Sequence, residues 1–438
     1  MVKGIKVTLV SSLVALTLLS GCGGYDNEDK NVVGNNLIIT QDTFKPVATL
    51  SKEMIQAGLD KVGSDKKALD NIESYVIKYK TKDAQGNEII ASGLITIPEA
   101  KTLKQFIQGY KAATGDDFSL SIVSDQHGTI FENKEAPSVK AALDGHPDEI
   151  ATNFTGVAGF MTVQPDYIGF GESNGTVHPY IIEKPSASAT VDMIKAAIAF
   201  ANQMGLPVNG QVFLSGYSEG GYVTMAAAKD IQQNHPEIHL MAVAPMAGPY
   251  DVEQMGLGAL TAPQMAFPPF LADTVYAYSA VYSDVNLSDI VVEQYAAKLP
   301  TLFNGDHNGT EIYMALPNVY TTQSQAPELL FKKEFIDDFI SDKENRLRVH
   351  FRENSVIDWK PEMPMKLYHC TNDNIVPYDF SKLAYGTFTQ KGSKTVALEP
   401  IDTLQDNPND PLFVHRQCAR VAYPKVGEWF HKVRKGEK

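Results

Sequence analysis

Apolar and polar residues alternate along residues 74–79 and again along 88–97. A period of two marks half-buried strands. The turn-forming run Asp83-Ala84-Gln85-Gly86-Asn87 between them predicts an opening antiparallel hairpin. Short apolar runs then recur as strands at 120–123, around Met161, at 212–214 and at 240–244. Helical patterns separate them. Residues 190–202 place Val191, Ile194, Ile198 and Ala201 on one face, and 223–228 is a helix-prone run. This alternation predicts an α/β protein with a mainly parallel, doubly wound sheet. The rhythm stops at Asp251, and a strand pattern returns only at 366–370. Residues 71–250 and 355–438 are therefore expected to form the core, with 251–354 as an insertion. Within the insertion, residues 331–348 read as a charged, solvated helix.

The chain opens differently. Lys3 and Lys6 precede an apolar run at 7–19, whose 13 residues fall short of the ~20 a membrane-spanning helix needs. Leu19-Ser20-Gly21-Cys22 resembles a bacterial lipobox. That resemblance implies a leader of residues 1–22, cleavage before Cys22, and lipidation of that cysteine. Acyl chains would then hold the protein to a membrane without a transmembrane span. Gly23 after the cysteine implies outer-membrane sorting. Residues 23–70 are expected to be a polar tether and N-terminal extension. The net charge of −14 disfavours nucleic acid and strongly anionic substrates as partners.

The chemistry centres on Gln211–Tyr222, QVFLSGYSEGGY. An apolar strand runs into Gly216-Tyr217-Ser218-Glu219-Gly220 and then into a helix. That context lets the Ser218 hydroxyl project from a tight turn. Glycines two residues to either side let strand and helix approach closely. Helix N–H groups would point at a developing oxyanion. A serine hydroxyl needs a base, and the base needs an orienting acid. His415 in Leu412-Phe413-Val414-His415 is the candidate base. Asp373, on the loop past the 366–370 strand, is the candidate acid; Asp251, after another strand, ranks behind it.

Further residues carry a family resemblance. Val163-Gln164-Pro165-Asp166-Tyr167-Ile168-Gly169-Phe170-Gly171-Glu172-Ser173, His178-Pro179-Tyr180, the GYSEGG turn and the order Ser218…Asp373…His415 resemble the α/β-hydrolase superfamily, and within it the secretory lipase group. The likeness runs over residues 71–438. It implies an α/β-hydrolase fold in which 251–354 overhangs the serine as a helical lid. It also implies a second oxyanion donor after the third core strand, in Asp125-Gln126-His127-Gly128-Thr129. The N–H groups of Thr129 and Glu219 are the expected oxyanion hole. Cys370 departs from relatives that often carry glycine there.

The expected reaction is cleavage of a small-molecule or lipid carboxylic ester through an acyl-enzyme, with no cofactor or metal. A serine exopeptidase of the same fold would use the same triad; an acidic cluster able to hold a peptide α-amine, for example Asp284, Asp289 and Glu293 in the insertion, would distinguish it. A third reading is a binding protein on an inactive hydrolase fold. Beyond Cys22 only Cys370 and Cys418 remain, and in an oxidising compartment they are expected to pair. A metal site from His369, Cys370, His415 and Cys418 is the rival reading, although adjacent His-Cys ligands fit one tetrahedral ion poorly.

Overall fold

The computed structural model describes residues 36–115, 117–407 and 410–437. The predicted leader, Cys22 and the tether up to residue 35 lie outside the described residues. Ten strands form one sheet: β1 (Leu37–Ile38), β2 (Ala48–Leu50), β3 (Ile72–Lys82), β4 (Glu88–Pro98), β5 (Leu120–Gln126), β6 (Met161–Pro165), β7 (Val208–Tyr217), β8 (His239–Met246), β9 (Met365–Cys370) and β10 (Val396–Ile401). Their order is β1-β3-β4-β6-β5-β7-β8-β9-β10, with β2 also on β3. The hairpin β3/β4 is antiparallel, as its alternation predicts, and β4 pairs antiparallel with β6. From β6 to β10 every pairing is parallel. This is the mainly parallel, doubly wound sheet of an α/β-hydrolase fold.

Central strands covered on both faces read as unbroken apolar runs. Successive residues of β7 therefore serve opposite sides. Val212 and Leu214 join one core with Ile194, Ala197, Val223 and Val243. Phe213 joins the other with Val123, Ala244, Cys418, Val426 and Phe430. The helices Glu183–Met204 and Glu219–Asn234 supply the first face, and the helix Phe413–Arg434 supplies the second. Glu183–Met204 begins seven residues earlier than its apolar stripe indicated. Pro185 lies in its first turn, where no intrahelical N–H is required, and Gly205 ends it at φ 66°.

Three features differ from expectation. His415, for which the sequence pattern predicts no helix, stands in the first turn of the helix Phe413–Arg434. Strand β5 continues through Asp125 and Gln126, residues assigned to the loop beyond it. Strand β10 carries no clear sequence signal, because it is half-buried and contains Pro400. Proline is tolerated there because this is an edge strand. Residues 251–354 are helical, with longer helices at Val252–Thr261, Pro268–Val281, Lys333–Ser341 and Arg346–Glu353. Their charged end is more buried than a solvated face would be. Phe335, Ile336 and Phe339 enter the core, and Arg348 is buried against Glu253 at 2.8 Å.

Cys370, the last residue of β9, forms a disulfide with Cys418 of the C-terminal helix, with a Cα–Cα separation of 5.9 Å. With both sulfurs in that bond, the rival metal cluster loses two of its four ligands. Closing a loop of 48 residues stabilises the fold by about 4 kcal/mol on the chain-entropy model. The double substitution Cys370→Ala/Cys418→Ala should lower the free energy of unfolding by about that amount. Guanidinium unfolding curves, with and without reductant, measure it: reductant should destabilise the parent chain and leave the double variant unchanged.

Candidate active site

The carboxyl ends of parallel strands leave crevices where ligands bind in open α/β sheets. The predicted residues collect at that edge. Ser218 follows β7 directly and caps the helix Glu219–Asn234 with φ 62° and ψ −122°. For a non-glycine residue this is a strained backbone, of a kind held only where the surroundings enforce it. Here the enforcement is local crowding. A Cβ on Gly216 would collide with Gly220 O, and one on Gly220 would collide with Gln126 O. The same contact presses the end of β5, and the His127 carbonyl after it, against the turn. The N–H groups of Thr129 and Glu219 find no acceptor among the described residues. The Thr129 hydroxyl is taken up by Tyr180 Oη at 2.8 Å.

Asp373 lies on the loop after β9, and two backbone donors orient it. Ile375 N–H and Val376 N–H both donate to its Oδ1, at 2.9 and 3.1 Å. Its Oδ2 accepts from His415 Nδ1 at 2.6 Å. A carboxylate on Nδ1 fixes the tautomer that leaves Nε2 as the basic nitrogen. His415 Nε2 is buried and without a hydrogen-bond partner. The His415 ring packs on Tyr217, the residue before Ser218, at 4.9 Å between centroids. Tyr217 Oη in turn donates to the His415 carbonyl at 2.8 Å. Ser218 makes no hydrogen bond to His415. Burial alone would raise the Asp373 pKa, but His415 and His369 outweigh it and hold the carboxyl well below the usual range. Asp251, the second-ranked acid, instead accepts from Gln254 N–H as the N-cap of the helix Val252–Thr261.

Sequence reasoning missed a second polar cluster beside the elbow. The Glu219 side chain is buried and meets His178 Nε2 at 2.8 Å. His178 Nδ1 faces Ile168 O at 2.7 Å. Both ring nitrogens thus face oxygen atoms, an arrangement that favours the imidazolium beside the Glu219 carboxylate. Burial opposes that charge, but the Glu219 carboxylate overcomes it and raises the His178 pKa. Asp273, on the helix Pro268–Val281, shares with His178 the wall of a cavity of about 10 Å³, room for roughly one water. Burial pushes its carboxyl up to about 8; His178 opposes the rise and Glu219 adds to it. The available signal was Glu219 itself. A carboxylate inside that turn needs a cation when buried, and His178, in the His178-Pro179-Tyr180 stretch, is the histidine that meets it.

Comparison with known proteins follows the same lines. The profile of the family described as "Secretory lipase" matches residues 155–431. A Legionella pneumophila protein, provisionally named a hydrolase, superposes with a TM-score of 0.77 at 28% identity, covering 92% of this chain and 100% of its own. The rice cell wall degrading esterase LipA of Xanthomonas oryzae gives a TM-score of 0.75 at 26% identity, covering 90% and 96%. Secreted triacylglycerol lipase LIP4 of Malassezia globosa is 24% identical over 244 residues. That match spans 54% of this chain and 49% of the fungal lipase, about half its length.

The Asp273 carboxyl yields a pH prediction. A folded-state pKa of about 8 against about 3.9 unfolded means the folded chain binds the extra proton between those values. The stability this group contributes is full below pH ~3.9 and is lost as pH rises through about 8. Asp125, raised to about 7 by burial and then Asp148, adds to the same decline. Asp273→Asn should therefore reduce the decline without abolishing it. Its stability relative to the parent should improve by at least about 1 kcal/mol between pH 5 and 8, read from unfolding curves at each pH.

Proposed function

Because this chain belongs to the secretory lipase family, we propose that it is a serine hydrolase that cleaves carboxylic esters. The observation that carries this reading is His415, with Nδ1 held by Asp373 and Nε2 buried, unpartnered and next to the elbow. Ser218 Oγ attacks the ester carbonyl while His415 Nε2 takes its proton. The carbonyl π pair moves onto oxygen, and the N–H groups of Thr129 and Glu219 receive that oxyanion. Collapse expels the alcohol, which leaves with the proton from His415. Water then attacks the acyl-enzyme by the same route and releases the acid. Asp373 orients the imidazole and stabilises its cation throughout.

Two of the relatives, an esterase and a triacylglycerol lipase, support ester substrates. Residues 251–354 act as the lid, with Phe267, Phe270 and Tyr276 on its partly buried side. The exopeptidase reading draws less support. Asp284 is exposed and engaged by His350 at 2.9 Å, and Asp289 and Glu293 are exposed as well. Export is supported by the disulfide. Lipidation at Cys22, with anchoring to the outer membrane, completes the proposal.

Two experiments test it. The form lacking residues 1–22 should react with a fluorophosphonate probe and turn over p-nitrophenyl esters. Ser218→Ala should abolish labelling and lower kcat by roughly 10⁴-fold or more. A folded parent that stays unlabelled would sink the nucleophile assignment, and turnover of aminoacyl-anilides alone would transfer the chain to the peptidases. Separately, the full chain expressed in a Gram-negative host should incorporate a clickable fatty acid and sediment with membranes. Cys22→Ser should lose both; a membrane-bound, unlabelled parent would refute the anchor.

A further inference from the structure

A cavity of about 1010 Å³ opens among the helix Lys52–Lys61, the π-helical turn Thr152–Val157 and the distal part of the helix Phe413–Arg434. None of its lining residues belongs to the elbow, the Asp373 loop or the lid. Along the C-terminal helix it begins at Tyr423, roughly 12 Å beyond His415 at 1.5 Å per residue. Its volume stands at the upper end of the roughly 300–1,000 Å³ common for small-molecule sites. The floor is apolar, built by Ile55, Leu59, Phe154, Val157 and Tyr423. Met54, Val62 and Leu69 line it as exposed apolar residues.

Three features keep this space open, and each costs stability. Gly58 and Gly427 sit inside the two facing helices and line the cavity. A Cβ at Gly58 would meet nothing within 4 Å, and one at Gly427 only Phe154 Cε1 at 4.0 Å. Any larger residue could occupy the void at either place, and each glycine weakens its helix relative to alanine. The third feature is the π-helical turn, a rare geometry that occurs frequently at functional sites. The rim supplies the ligand's polarity. Lys66 is paired with Glu428 at 3.7 Å. Lys67, Lys432 and Lys435 have no carboxylate partner among the described residues, and Glu149 and Glu437 are the opposing acids there. Unpaired cations thus outnumber unpaired acids three to two, on a chain whose net charge is −14.

We propose that this cavity binds a long-chain carboxylate, with its acyl chain along the apolar floor and its carboxylate at Lys67, Lys432 and Lys435. An acyl chain fits a floor without polar partners, and the local excess of lysine selects an anionic end. The site stands apart from the hydrolytic machinery, so the proposal does not depend on the ester hydrolase reading.

The test is calorimetric titration of the full exported chain carrying Cys22→Ser with palmitate, kept below its aggregation concentration. Expected are one palmitate per chain, and at least about tenfold weaker binding of methyl palmitate. Gly427→Leu should weaken palmitate by at least about tenfold while leaving p-nitrophenyl butyrate turnover unchanged. Lys432→Glu/Lys435→Glu should weaken palmitate and spare methyl palmitate. Gly58→Leu serves as the second filling variant should Gly427→Leu fail to fold. Absence of palmitate binding by the folded parent overturns the proposal. So does binding that both filled variants retain, because the ligand then sits elsewhere, and so does equal affinity for the methyl ester. Adsorption to phosphatidylglycerol vesicles without monomer binding would make the face a membrane surface and overturn it as well.

Discussion

One backbone conformation organises this molecule, the turn that holds Ser218 at φ 62°. An L-residue stays there only when its neighbours leave no alternative. Those neighbours are the strand before it, the helix after it, and the end of β5 lodged where any Cβ on Gly220 would have to go. Through that packing, three elements of the sheet edge become interdependent. Displacing β5 would move the His127–Thr129 segment; relaxing the turn would swing the first N–H groups of the elbow helix. The strain is therefore paired with rigidity rather than with mobility, and the large buried core on both faces of the sheet sustains it.

The fold was legible where physics is periodic. Alternation exposed the β3/β4 hairpin, and apolar runs exposed β5 to β8 because both sheet faces are covered. Strand β10 was not legible: an edge strand with Pro400 buries too little to carry a pattern. The C-terminal helix was also missed, since its first two turns carry Val414, His415 and Cys418 inward while Pro424 interrupts its interior. At the candidate site, the serine turn announced itself because a chain can build it in few ways. Asp373 and His415 could be ordered along the chain, but only the fold shows that they meet at 2.6 Å. Glu219, His178 and Asp273 were illegible together. They come from three separate segments, and nothing local in a sequence records a buried ion pair.

That cluster changes how the site's electrostatics should be viewed. The elbow turn carries a formal negative charge one residue after the serine, where an anion would seem to oppose oxyanion formation. The His178 imidazolium cancels it at 2.8 Å. Asp273, held protonated over much of the neutral range by burial, adds no further charge. The surroundings of Ser218 thus become more negative as Asp273 ionises. The helix bearing Asp273 lies within residues 251–354, so the charge around the elbow is set partly by that insertion.

The bond between Cys370 and Cys418 has a consequence for how the protein matures. It ties the strand end that leads into Asp373 to the helix turn after His415, far downstream of the serine. A ribosome that has already produced the whole elbow has yet to make either partner of the imidazole–carboxylate pair. Even a completed chain lacks this bridge while it remains among reducing thiols. Synthesis and then oxidation therefore assemble this region in sequence, with the serine turn encoded early and the imidazole–carboxylate pair clamped in place only once Cys370 and Cys418 are joined.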